Sequence, residues 1–468
     1  MTRSPDVRST PRTRRPQLAL LAGAACTLAL AACSAGQEHA VPHDAAVTPP
    51  SSAELHTAAV APPPPPVAPQ PTAEPAVPAV ATAEPAAAQP PPFAGEPELA
   101  RFHAALRDLT RGARKSHVRI LWLGDSHGQA DFWTGGLRTA LQKKYGNGGP
   151  GFVHMGWKAY RHDGMKLVVD GKWSIRPKAP ASSSRVGDGM FGLGGVVAVG
   201  PVDGGRARAQ VTDEGLSGRM SWDVCYRLRT PSDELSVKLG SRPPTAVRAT
   251  STEPAGELRH LVLVGEGPET LEVASARGLP ELCGVVIETD PAKQPGVVLD
   301  TLGINGARFG TPLAWDETSF GAELVRRQPT LVILEYGTNE SGDVGVDPSV
   351  YGKKLVRLME RIRRFAPDAD CLALAPTDRA DTRERTPLVR DAIRAGAQEA
   401  SCGFWDTYAV MGGAGSIRAW AQETTPRAAR DGVHLTPKGY RELGEALAAH
   451  VLRGVTPDLS AVLRGSTP

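Results

Sequence analysis

No charge of one sign dominates this chain. Over 468 residues, 53 Lys and Arg stand against 50 Asp and Glu, a formal net charge of +3. A protein held to nucleic acid by phosphate contacts needs a basic face, and the near-balance gives that class no support. Long apolar runs are missing as well. Outside the first 33 positions nothing reaches the roughly 18 uninterrupted apolar residues of a membrane span, which excludes a polytopic membrane protein. The cysteines are too scattered for a Cys-x-x-Cys zinc site, and no His/Asp cluster has ligand spacing, so neither metal nor cofactor is expected. The stretch Gly146-Asn-Gly-Gly-Pro-Gly lacks the preceding strand and the following Lys-Ser/Thr of a phosphate loop. Composition also excludes a collagen, a coiled coil and a wholly disordered chain.

What is present begins with an address. Arg3, Arg8, Arg12, Arg14 and Arg15 precede a short apolar run from Leu18, which ends at Cys33. A basic stretch, a short apolar stretch and small residues before a break describe a secretory signal over 1–33. Leu30-Ala31-Ala32-Cys33 resembles the bacterial lipobox, which implies diacylation of Cys33 and a membrane contact through that anchor alone. Ser34 at the next position implies sorting to an outer membrane. Residues 34–95 are rich in Pro and Ala, with five prolines from Pro62 to Pro66. Such a segment buries too little to fold and favours extended polyproline II, so it reads as a semi-rigid spacer. The body spans roughly 96–458.

Within the body, Val118-Arg-Ile-Leu-Trp-Leu-Gly reads as a buried strand and 129–145 as a helix. From 155 to 295 short apolar runs recur between Gly, Pro and Asp turns, which predicts an inserted β-sandwich. After 296 strands alternate with helices. The strands begin at Val297, Thr330, Cys371 and Cys402, and the helices cover 313–327, 348–365, 386–400 and 437–453. That alternation predicts an α/β fold, a doubly wound, flavodoxin-like parallel sheet of about five strands. The α/β domain is thus split into 96–154 and 296–458.

Four features fall at strand ends or in the closing loop: Gly124-Asp125-Ser126-His127, Gly303-Ile-Asn-Gly306-Ala, Gly337-Thr-Asn339-Glu340 and Asp431-Gly-Val-His434. In a doubly wound sheet the carboxyl ends of the strands collect the site. Each feature alone has a bland reading as a cap or a turn. In this order they resemble the SGNH hydrolase superfamily of GDSL-type esterases, over roughly 100–155 and 296–455. The Gly-Asp-Ser-His string, the Tyr145–Phe152 segment and the insert resemble one branch, the bacterial peptidoglycan O-acetylesterases. His127 replaces the Leu of the family name, and Glu340 replaces an Asp. The branch's insert resembles a carbohydrate-binding module.

The resemblance implies a serine carboxylic ester hydrolase without cofactor or metal. Ser126 is the expected nucleophile, His434 its base and Asp431 the residue that orients the base. The backbone N–H groups of Ser126 and Gly306 and the Asn339 amide are the expected oxyanion donors. The implied partner is an acetylated cell-wall polysaccharide, and the implied location is the cell envelope, facing the periplasm. The alternatives are an O-acetyltransferase, an esterase of other acetylated glycans, or a non-catalytic wall-binding lipoprotein. Trp173 and Trp222 in the insert are either core residues or sugar-stacking platforms, and His127 either meets substrate or only starts a helix. The four cysteines of the body allow three pairings. Cys371 and Cys402 open consecutive strands, and parallel neighbours lie roughly 4.8 Å apart, so Cys371–Cys402 is expected, leaving Cys225–Cys283. The insert is expected to stand beside the crevice, serving polymer more than small esters.

Overall fold

A computed structural model describes residues 97–213 and 215–455. The signal with Cys33 and the spacer 34–95 lie outside the described residues. Five strands form the parallel sheet: β1 (Val118–Gly124), β2 (Val297–Gly303), β3 (Leu331–Glu335), β4 (Asp370–Leu374) and β5 (Gly403–Trp405). Their order is β2-β1-β3-β4-β5. All pairings are parallel.

Alternation along the strands explains the layers. Val118, Ile120 and Trp122 point into one apolar cluster with the helices Ala100–Thr110, Trp133–Tyr145 and Pro437–Val451. Leu121 and Leu123 point into another with Glu317–Arg327, Ser349–Arg363 and Arg385–Glu399. A parallel sheet covered on both faces reads as continuous apolar runs, which is the texture of β1, β2 and β3. Register then places the site. Gly124 of β1 pairs with Gly303 of β2 and with Glu335 of β3, so three loops leave the sheet from one line.

Two expected helices are broken. The helix expected over 129–145 is a turn, Ser126–Gln129, followed by Trp133–Tyr145. Between them Asp131 adopts φ 52°. Its buried carboxylate accepts bonds from Arg138 (2.9 and 2.7 Å), Thr301 Oγ1 (2.9 Å), Asp163 N–H (2.6 Å) and Thr134 Oγ1. That network outweighs the left-handed strain, which costs about 1–3 kcal/mol at such positions. The helix expected over 313–327 splits into Gly310–Leu313 and Glu317–Arg327, because Asp316 caps the second piece through Ser319 N–H. Helices Ala100–Thr110, Thr407–Met411 and Ser416–Ala421 were not expected.

The insert carries two antiparallel sheets. One orders 258–266, 219–227, 281–289, 197–199 and 174–176; the other orders 165–170, 205–211, 270–277, 234–239 and 245–248. Trp222, Val224, Leu235, Val237, Leu271 and Val273 share one buried cluster between them. Trp222 is completely buried and belongs to the core; Trp173 is half-buried and packs partly against that cluster. The insert does not stand apart. Gly151–Val153, expected in the α/β part, joins its sheet on 281–289. Phe152, Leu193, Cys225 and Cys283 pack in the same cluster as Leu121 and Phe309. Disulfides join Cys225 to Cys283 and Cys371 to Cys402.

Candidate active site

Ser126 opens the turn after β1, where Asp125 caps the chain by accepting the His127 N–H at 2.9 Å. His434 comes from the loop ahead of the helix Pro437–Val451. That loop folds back on itself, with Ala429 N–H bonded to His434 O at 2.8 Å and Ala428 bridged to Leu435. His434 Nε2 lies 3.0 Å from Ser126 Oγ, and its Nδ1 lies 2.8 Å from Asp431 Oδ2. The other oxygen of Asp431 accepts the N–H groups of Val433 and His434, each at 2.9 Å. Burial pushes the Asp431 carboxyl up, but those two N–H bonds and the imidazole outweigh it and hold the group below its ordinary value. An anion fixed on Nδ1 leaves the unprotonated Nε2 facing the serine, the arrangement a general base needs.

Gly306 and Asn339 reach the same place from β2 and β3. Gly306 has φ 79°, which a side chain rarely adopts; the space around it is open apart from Ala181 of the insert at 3.4 Å. Its glycine is therefore required by backbone conformation more than by crowding. Gly303 differs, because a Cβ there would run into the backbone of Gln129. The Asn339 amide donates to Asp125 Oδ2 at 3.1 Å and to Ala307 O at 3.0 Å. Both of its hydrogens are thus engaged, and donation to an oxyanion exchanges one of those bonds.

Beneath these groups lie residues whose part the sequence did not disclose. Glu335 is fully enclosed and accepts the Asp125 N–H at 3.0 Å. Burial, followed by the neighbouring Asp125 charge, raises Glu335 well above the carboxylate range, and burial lifts Asp125 to about 6, so Glu335 is the member of the pair that holds its proton more tightly. Glu340 is also buried. Its two oxygens accept Phe309 N–H at 2.8 Å and Gly337 N–H at 2.9 Å, tying the Gly306 loop to the Asn339 loop, and burial pushes it up to about 7. Arg308 adds bonds to Gly306 O and Asn339 O. His127 is buried and bonded to Tyr440 Oη at 2.9 Å and Thr377 Oγ1 at 3.1 Å. It faces inward, so it supports the site from below.

One group among the described residues has metal-like spacing, Cys225, His260 and Glu323. It does not fit a metal: Cys225 is held in a disulfide and offers no thiolate, and His260 is occupied by Asp223 and Glu323.

Residues 274–442 match the GDSL-like Lipase/Acylhydrolase family. That match starts well after Ser126. The 3.0 Å contact from His434 back to Ser126 joins the missing block to it. Over that part the chain resembles the GDSL-like acylhydrolases, and the family match together with the relay supports a carboxylic ester hydrolase. The chain is similar to a solved structure described as "Peptidoglycan O-acetylesterase in action, 5 min", with 26% identity over 78% of this chain and 97% of that one, and a TM-score of 0.62. A family two carbohydrate esterase from Cellvibrio japonicus matches at 10% identity over 62% of this chain and 98% of that one, with a TM-score of 0.26. A lipase/acylhydrolase from Enterococcus faecalis matches at 16% over 34% and 77%, with a TM-score of 0.27. No curated protein matches the chain.

Proposed function

We propose that this acylhydrolase removes O-acetyl groups from a cell-envelope polysaccharide, most specifically peptidoglycan, through an acyl-enzyme on Ser126. The observation that carries the reading is the relay Asp431–His434–Ser126, with contacts of 2.8 and 3.0 Å. His434 Nε2 takes the Ser126 proton as Oγ attacks the ester carbonyl. The carbonyl oxygen becomes an oxyanion, met by the N–H groups of Ser126 and Gly306 and by the Asn339 amide. His434 then returns its proton to the sugar oxygen, which leaves. Water, deprotonated by the same imidazole, attacks the acetyl-serine and releases acetate. The choice of peptidoglycan is supported by the likeness to the O-acetylesterase structure, over nearly all of that chain. The tether agrees with that choice: a lipid on Cys33 and a spacer over 34–95 set the enzyme beside the wall.

Acetate release is the deciding measurement. O-acetylated peptidoglycan is expected to be a better substrate than acetylated xylan, and Ser126→Ala is expected to abolish release from both. A preference for xylan overturns the choice of wall polymer. Full turnover in Ser126→Ala overturns the nucleophile. Acetyl appearing on an added glycan rather than as free acetate identifies a transferase. Loss of the protein from membranes in Cys33→Ala tests the anchor.

A further inference from the structure

A groove of about 850 Å³ runs along the outer side of the loop that carries His434. One wall is Ala429, Arg430, Asp431 and Gly432; the other is the helix Ser416–Ala421, with Arg418. Three carboxylates touch the groove and all are engaged: Asp381 by Arg379, Glu423 by Arg427 and Asp431 by His434. Arg418 and Arg430 are exposed, and neither has an ion pair among the described residues. The groove therefore carries two guanidinium groups without an ion pair against one carboxylate, Asp431, whose imidazole partner is neutral at rest, leaving it net positive.

Position relative to the chemistry gives these charges a purpose. His434 must protonate the oxygen that leaves, and in an acetylated polysaccharide that oxygen belongs to the sugar. The polymer consequently lies toward His434, and the groove is lined by Asp431, which His434 Nδ1 meets at 2.8 Å. We propose that Arg418 and Arg430 form an anion subsite that takes a carboxylate carried by the acetylated polymer, a specificity element for charged over neutral glycans. This inference rests on the polysaccharide reading above. Guanidinium groups in a fork suit carboxylates, and charged hydrogen bonds are the strong ones. Two kinds of polymer supply the group: peptidoglycan, on its stem peptides, and a uronate glycan, on every sugar. Acetylated xylan backbone supplies none.

The test is kcat/KM on four substrates: O-acetylated peptidoglycan fragments bearing stem peptides, acetylated polygalacturonate, acetylated xylan and 4-nitrophenyl acetate. For Arg418→Gln and Arg430→Gln the ratio of peptidoglycan to 4-nitrophenyl acetate should fall about tenfold each, and further in the double variant. The ratio for xylan should hold. Added salt should slow the wild type on the charged polymer and leave the double variant indifferent. A parallel fall on polygalacturonate means the subsite reads any carboxylate, and its absence there assigns the stem peptide. An unchanged ratio on both charged polymers overturns the subsite while leaving the esterase reading intact. A wild type that cleaves the small ester and no polymer overturns the polysaccharide reading, and the subsite with it.

Discussion

The ring of His127 lies 5.5 Å from that of His434, centroid to centroid, yet only His434 reaches the serine. His127 is spent on Tyr440 and Thr377, and burial, followed by the nearby His434, drives it down to about 3. It stays neutral while its neighbour cycles through imidazolium, so no second cation opposes the charge that catalysis creates. His127→Leu takes the side-chain partner from the buried Tyr440 hydroxyl and leaves Thr377 Oγ1 only its 3.4 Å contact with Thr338 Oγ1. We expect a loss of about 1–3 kcal/mol, read as a lower thermal midpoint, while Ser126 remains reactive toward an organophosphonate probe.

Glu340 couples the two loops that supply the oxyanion donors. In Glu340→Gln one carboxylate oxygen becomes an NH₂ facing a backbone N–H, so one of the two bonds is lost. We expect kcat on a small ester to fall up to about 100-fold, because misplacement of about 1 Å is worth that much. KM should move little. A drop in stability with unchanged kcat would leave Glu340 a fold residue only.

His260 offers a pH handle far from the serine. Burial alone lowers its affinity for a proton, but bonds to Asp223 at 3.0 Å and Glu323 at 2.9 Å outweigh that and raise it to about 9. A raised folded-state value means stabilisation that is complete below the ordinary 6.5 and lost as pH climbs through 9. The advantage of wild type over His260→Gln in urea unfolding should shrink by on the order of 3 kcal/mol across that window. A constant difference would show that the cluster adds nothing through protonation.

Shortening the insert, 160–292, to a Gly/Ser loop is now expected to prevent folding, against the sequence-based expectation that small-ester hydrolysis survives. Glu288 of the insert pairs with Arg119 of β1 at 2.8 Å and with Arg327 at 2.6 Å. Its removal leaves half-buried Arg119 without its carboxylate and buried Arg327 with Asp300 alone. It also uncovers the cluster around Leu121 and Phe309. Recovery of a soluble, cooperatively melting enzyme would restore the two-module view.

Much of this was legible because parallel strands announce themselves. The runs at 118, 297, 330 and 371 are apolar on both faces, so β1 to β4 and the loops carrying Ser126, Gly306, Asn339 and His434 could be placed in order. The interruption at Asp131 was not legible, since it is decided by Arg138 and Thr301, the latter a distant residue of β2. Helix Ala100–Thr110 has no side-chain cap to signal its start; Leu99 stands at that position. Glu335 and Glu340 were hidden for a related reason. A buried glutamate looks like any surface glutamate until its partners, here backbone N–H groups from other loops, are brought to it.

The order of the sheet also sets the order of assembly. β1 occupies an inner position, yet its partners β2 and β3 begin only at Val297 and Leu331. A chain emerging from its amino end therefore makes its inner strand long before either neighbour exists. Contacts so distant in sequence close slowly, and an unpaired apolar strand is prone to join a strand of another chain meanwhile. Refolding yield should accordingly fall with protein concentration more steeply than native stability alone would suggest, with Ile120, Leu121, Trp122 and Leu123 as the sticky segment.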